Sequence, residues 1–123
     1  METKKTVLIV DDAGVVRQIN TMALRKMGFE VIESVNGKDA LAKIEGRKID
    51  LVITDINMPE MDGIELIRQL RASTEHRFTP IIALSTVSQE AKVREGKEAG
   101  VSGWIYKPYT AKHLLEAIRK FIP

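Results

Sequence analysis

Asp11, Asp12, Asp55, Ser85, Thr86 and Lys107 are the side chains of this sequence whose types and settings could do chemistry together. Each of these groups interrupts or ends a short apolar run. Carboxylates can ligate a hard cation or accept an electrophile, an ammonium can neutralise developing negative charge, and a hydroxyl can donate to an oxyanion. Taken singly, each also has a plain structural reading. Asp12 could cap a first helix, Ser85 or Thr86 a fourth, Asp55 could form a turn or cap, and Lys107-Pro108 could be a turn. What separates these readings is whether the chain brings the groups to one place.

The elements that carry them are legible. Thr6 to Val10 and Leu51-Val52-Ile53 are continuous apolar runs, the pattern of parallel strands buried on both faces. Pro80 introduces a similar run, Ile81 to Leu84, and Val101 to Tyr106 is a short fifth strand. Phe29 to Val35 alternates apolar and polar residues, as expected nearer a sheet edge. Between the strands, Val16, Ile19, Ala23 and Met27 recur at helical spacing up to Gly28, and Ala40, Leu41 and Ile44 mark a second helix ended by Gly46. Asp62-Gly63 opens a third helix carrying Ile64, Ile67 and Leu70. A weaker one runs roughly from Gln89 to Ala99, with Gly96 inside it and Gly100 as its stop. Leu114, Leu115, Ile118, Phe121 and Ile122 stripe the closing helix. Ala72 to Thr79 reads as a polar loop. Five alternations of strand and helix predict an α/β protein with a parallel sheet and helices on both faces.

Parallel strands present their carboxyl ends to one edge, where ligand sites form in open α/β sheets. Asp11-Asp12, Asp55, Ser85-Thr86 and Lys107 therefore converge. Carboxylates roughly 5 Å apart at an effective dielectric near 20 repel by about 3 kcal/mol per pair. Lys107 supplies one compensating charge, and a divalent ion would supply the rest. An all-oxygen site with few protein ligands suits Mg²⁺, which keeps several waters and shares phosphate oxygens. A carboxylate beside a metal, an ammonium and a hydroxyl is a plausible phosphoryl acceptor.

Composition narrows the classes. With 123 residues, 44% hydrophobic and 29% charged, the sequence fits one soluble domain, 1–123. A formal net charge of +2, spread along the chain, gives no basis for nucleic-acid binding. The absence of cysteine excludes thiolate chemistry and disulfides. No apolar run reaches signal-peptide or membrane-spanning length, so a cytoplasmic protein without a membrane partner is expected.

Asp11-Asp12, Asp55 within Asp-Ile-Asn-Met-Pro-Glu-Met-Asp-Gly, Ser85, and Lys107-Pro108-Tyr109 together resemble the receiver domain of two-component response regulators. The resemblance covers essentially the whole chain. With no output domain expected, it is most similar to stand-alone chemotaxis regulators of the CheY type. The resemblance implies a flavodoxin-like fold, a doubly wound five-stranded parallel sheet of order 2-1-3-4-5 with five helices. It implies that Asp55 takes a phosphoryl group from a histidine kinase, with Mg²⁺ held by Asp12, Asp55 and the Asn57 carbonyl, and Asp11 acting mainly through a metal-bound water. Lys107 and Ser85 would contact the phosphoryl oxygens. Such a chain is a binding switch rather than an enzyme, catalysing its own phosphoryl uptake and loss. The face of the fourth helix, fifth strand and fifth helix is expected to bind a protein target, at the flagellar motor or elsewhere. A phosphatase is a possible further partner, and a monomer is expected.

Trp104 stands where the family usually has tyrosine or phenylalanine as a rotating switch, the alternative being a plain core tryptophan whose N–H needs a partner. If it turns, a phosphoryl group that draws Ser85 inward would vacate the space it enters. Ser85 replaces the commoner threonine, and Val87 is apolar where some chemotaxis members carry an acid. His76 and His113 read as solvated surface. Met22, Met27, Met58 and Met61 read as core or loop packing. Two alternatives stand beside the switch: a phosphorelay intermediate, and a Mg²⁺-dependent aspartate-nucleophile phosphohydrolase. The hydrolase fits less well, because adjacent acids follow the first strand and no cap insertion encloses a substrate. A flavodoxin-like carrier is opposed by the same two acids, which would repel a cofactor phosphate.

Overall fold

The computed structural model describes residues 4–58, 60–86 and 90–122. Strands β1 (Thr6–Val10), β2 (Glu30–Ser34), β3 (Leu51–Asp55), β4 (Ile81–Thr86) and β5 (Gly103–Lys107) alternate with helices α1 (Gly14–Lys26), α2 (Gly37–Ile44), α3 (Gly63–Ala72), α4 (Ala91–Ala99) and α5 (Ala111–Arg119). All pairings are parallel, in the order β2-β1-β3-β4-β5. This is the flavodoxin-like order expected. Strand β5 starts and ends later than its apolar run suggested, so Lys107 is its last residue. Gln89, the expected start of the fourth helix, and Val87 lie outside the described residues.

The sheet separates two apolar layers. Leu8, Val10, Val52, Ile81 and Ala83 face α2 and α3, where Ile44, Ile64, Ile67 and Leu70 pack. Val7, Ile9, Ile53, Ile82 and Leu84 face the other way, against Leu24 of α1 and Leu114 and Ile118 of α5. Every residue of β3 is buried, as a central strand covered on both faces requires. Helix starts are chemically specified. Asn36, Asp62 and Thr110 cap α2, α3 and α5, accepting from the backbone N–H of Asp39, Glu65 and His113.

Two helices depart from the pattern expected of them. In α1 the buried residues are Asn20, Thr21 and Leu24, whereas Val16, Ile19, Met22 and Met27 are exposed. The apolar stripe therefore faces outward, and Met22 and Met27 are not core residues. Met58 and Met61 do pack against the core. Helix α4 has one buried position, Gly96. A Cβ there would lie 2.3 Å from Trp104 Cζ3, so the glycine that weakens the helix intrinsically is what lets it close over the indole.

The polar loop after α3 is more ordered internally than its composition implies. The Arg71 guanidinium donates to the carbonyls of His76, Arg77, Thr79 and Gly100 and to Ser102 Oγ, at 2.7–3.3 Å. That hub joins the end of α3, the following loop and the turn between α4 and β5. His76 is buried within it, 5% exposed, correcting the expectation of a solvated histidine, while His113 is exposed.

Candidate functional site

Side-chain parity explains which groups meet. Asp11 continues the alternation of Val7 and Ile9, Asp55 that of Leu51 and Ile53, and Lys107 that of Ile105. All three reach the carboxyl edge from the same face of the sheet. Helix α3 is pressed against this edge at Gly63, where an added Cβ would fall 2.3 Å from the Asp55 carbonyl oxygen. Only a residue without a side chain fits between the end of β3 and the start of α3. The loop that returns the chain includes Glu60 in the left-handed region, at φ 67°.

Asp55 is 5% exposed. Its Oδ1 accepts from the Ile56 N–H at 2.9 Å, and its Oδ2 pairs with Lys107 Nζ at 3.1 Å. Asp11 is 1% exposed. Its Oδ1 accepts from the Ala13 N–H at 2.9 Å, but its Oδ2 is buried with no partner. Burial pushes the Asp11 carboxyl above its ordinary value, and the Asp55 charge pushes the same way. Asp12 is exposed, and one oxygen from each of Asp11, Asp12 and Asp55 lies within 4.8 Å of the others. Asp12 does not cap α1: the cap position is Ala13, which makes no side-chain bond to the helix.

Three carboxylates gathered so closely, one with an orphaned buried oxygen, are an unfinished electrostatic arrangement. The donor set is all oxygen, which fits a hard divalent cation. The arrangement can therefore hold such an ion while Lys107 holds the far oxygen of Asp55.

The remaining expected residues sit differently. Asn57 follows β3 with an exposed side chain. Ser85 is the penultimate residue of β4, one beyond Leu84, the register partner of Asp55, and its hydroxyl accepts from Trp104 Nε1–H at 2.7 Å. Trp104 is half-buried and packs against the core. Two groups given no role by the sequence pattern also border the site. Asn20 Nδ2 donates to the Tyr109 hydroxyl at 2.8 Å, and burial raises the Tyr109 phenol above its ordinary value. They line an open groove of about 380 Å³ with Val16, Ile19, Lys107 and Pro108. Its sequence signals were the Lys107-Pro108-Tyr109 run and the stripe on α1, whose direction periodicity alone does not give.

Comparison with known proteins agrees with this geometry. The chain is 37% identical over 115 residues to chemotaxis protein CheY-3 of Vibrio cholerae, covering 93% of this chain and 88% of that one. The solved structure of chemotaxis response regulator CheY4 of Vibrio cholerae superposes with a TM-score of 0.91 at 37% identity, covering 97% and 99% of the two chains. The receiver domain of sensor histidine kinase PA1611 from Pseudomonas aeruginosa PAO1 was solved with a magnesium ion coordinated in its active site cleft. It gives a TM-score of 0.88 at 26% identity over 98% of each chain. The family model for the response regulator receiver domain matches residues 7–119, and the chain belongs to that family.

Proposed function

We propose that this chain is a single-domain signalling switch, turned on by transfer of a phosphoryl group to Asp55. The observation that carries this reading is the buried Asp55 carboxylate, held by Lys107 at 3.1 Å inside a cluster whose Asp11 Oδ2 has no partner. The phosphodonor is a phosphohistidine of a histidine kinase. A carboxylate oxygen of Asp55 attacks phosphorus, the P–N bond breaks, and its electron pair returns to the imidazole. Lys107 and the Ser85 hydroxyl stabilise the phosphoryl oxygens, and hydrolysis of the acyl phosphate resets the switch.

Asp11, Asp12, Asp55 and the Asn57 carbonyl would hold Mg²⁺, whose charge would offset that of the carboxylates and the incoming phosphoryl group. The groove of Val16, Ile19, Pro108 and Tyr109 supports a protein phosphodonor, because it offers apolar area beside Lys107. Output leaves through the face of α4, β5 and α5, where Ser85 and Trp104 link the site to α4. The relatives' names favour chemotaxis over a phosphorelay. A cytoplasmic monomer with a helper phosphatase completes the reading, and among the described residues no helix is long and apolar enough to cross a membrane.

Incubation with acetyl phosphate and Mg²⁺, followed by intact mass measurement, tests the reading. One added phosphoryl group in the wild type and none in Asp55→Asn is expected. A chain that takes up none, or an Asp55→Asn variant that still takes one, refutes it.

A further inference from the structure

Trp104 pairs in register with Ala83, so it shares a face with Ala83 and with Ser85 two residues further along β4. From there its indole reaches diagonally to Ser85, donating Nε1–H to Oγ at 2.7 Å. Ser85 is fully buried. On its other side the ring is covered by α4, where Gly96 stands over Cζ3 and Cη2 with no room for a Cβ. The indole is thus fastened at its nitrogen edge and roofed at its benzo edge. Swinging it out would break the one bond and open the other contact.

The chemistry of the two groups sets a direction. An indole N–H donates only, whereas a serine hydroxyl has one proton and two lone pairs. With Trp104 occupying a lone pair, the serine proton must point away from the indole. Among the described residues nothing accepts that proton. Ser85 lies one residue beyond Leu84, which pairs in register with Asp55. A phosphoryl group on Asp55 would bring three acceptor oxygens to that end of the sheet. An N–H···O–H···O chain is cooperative, each bond polarising the next, and a charged acceptor strengthens it further.

We propose that Trp104 is a positioning residue for phosphoryl capture: its indole N–H fixes the Ser85 oxygen and turns the serine proton toward the phosphoryl group on Asp55. The proposal rests on Asp55 being the acceptor and adds a regulation of that same site. The bond between Trp104 and Ser85 is kept and strengthened in the phosphorylated state. Displacement of Ser85 then reaches α4 through a ring that stays seated beneath Gly96, without rotation of the side chain.

Trp104 is the only tryptophan, so ¹⁵N-labelled full-length protein has a single indole N–H resonance. Phosphorylation with acetyl phosphate and Mg²⁺ is expected to move that proton downfield, the sign of a shorter hydrogen bond. In Ser85→Ala the resonance starts upfield of wild type and lacks that downfield step. A wild-type resonance that moves upfield, or stays in place while intact mass shows full phosphorylation, overturns the proposal.

A second arm replaces Trp104 with benzothienylalanine, in which sulfur takes the place of N–H and the ring shape is kept. The limiting phosphorylation rate should fall about fivefold with the half-saturating acetyl phosphate concentration unchanged. An equal or faster limiting rate overturns the proposal while leaving Asp55 as the acceptor. A wild-type chain that takes up no phosphoryl group removes both readings.

Discussion

Replacing Asp11 by asparagine separates the electrostatic cost of the acidic cluster from its packing. The amide keeps the shape of the carboxylate and an oxygen for the Ala13 N–H, now accepted by Oδ1 of Asp11 at 2.9 Å. It removes a charge that is 1% exposed and that shares a 4.8 Å cluster with Asp12 and Asp55. At that separation and an effective dielectric near 20, one bare pair repels by about 3.5 kcal/mol. Attraction to Lys107 and screening of the exposed Asp12 offset part of this, leaving a gain of about 1–2 kcal/mol for the metal-free variant. In a domain of this size that raises Tm by roughly 3–8 °C.

The sign against pH follows from the raised Asp11 carboxyl. A group that holds its proton more tightly folded than unfolded contributes stability at low pH and loses it as pH rises through its folded value. Metal-free wild type should therefore fall behind Asp11→Asn as pH rises from the acid side toward neutrality, and the two should converge in acid. Mg²⁺ should reverse the order at neutral pH, because the wild type binds it in the folded state and the variant does so more weakly. Thermal melts in chelator and in millimolar Mg²⁺, across pH, read all of this. A metal-free variant that melts below wild type would show that Asp11 stabilises the fold as an anion and refute the reasoning.

Gly96→Ala should cost about 2–3 kcal/mol in denaturant unfolding despite its better helix propensity, because the new methyl meets the indole at 2.3 Å; a neutral or stabilising result would mean α4 does not rest on Trp104. Asp62→Ala removes the cap on α3, whose Oδ1 accepts from Glu65 N–H at 2.9 Å, and should cost about 1 kcal/mol in the same measurement. Ile19→Asp changes a residue that is 58% exposed, so stability should stay within about 0.5 kcal/mol. Its uptake from acetyl phosphate should be intact while uptake from a phosphorylated kinase domain slows, and equal slowing from both donors would remove the groove from donor docking.

How much of this the sequence carried depends on how local the cause was. Continuous apolar runs ending in Asp11, Asp55 and Ser85 marked the strands and their shared edge, because parallel strands need no partner pattern to declare themselves. The resemblance to receiver domains supplied the strand order. The direction of the α1 stripe was not legible: periodicity gives the spacing of a face, and the face that packs here carries Asn20 and Thr21 with Leu24. His76 is buried because Arg71 gathers carbonyls from its own loop and from Gly100, a convergence with no local signature. Trp104 with Gly96, and Asn20 with Tyr109, are likewise contacts between elements far apart in the chain. The need of an indole N–H for a partner was readable, and that partner proved to be Ser85 itself.

The proposed switch requires that Asp55 alone accept the phosphoryl group, in a cation-dependent way. Borohydride reduction of the acetyl phosphate-treated protein, followed by peptide mass mapping, tests it most directly. A single reduced residue at position 55 is expected in Mg²⁺, and none in chelator or in Asp55→Asn. A reduced residue at Asp11 or Asp12, or equal modification in chelator, would contradict it.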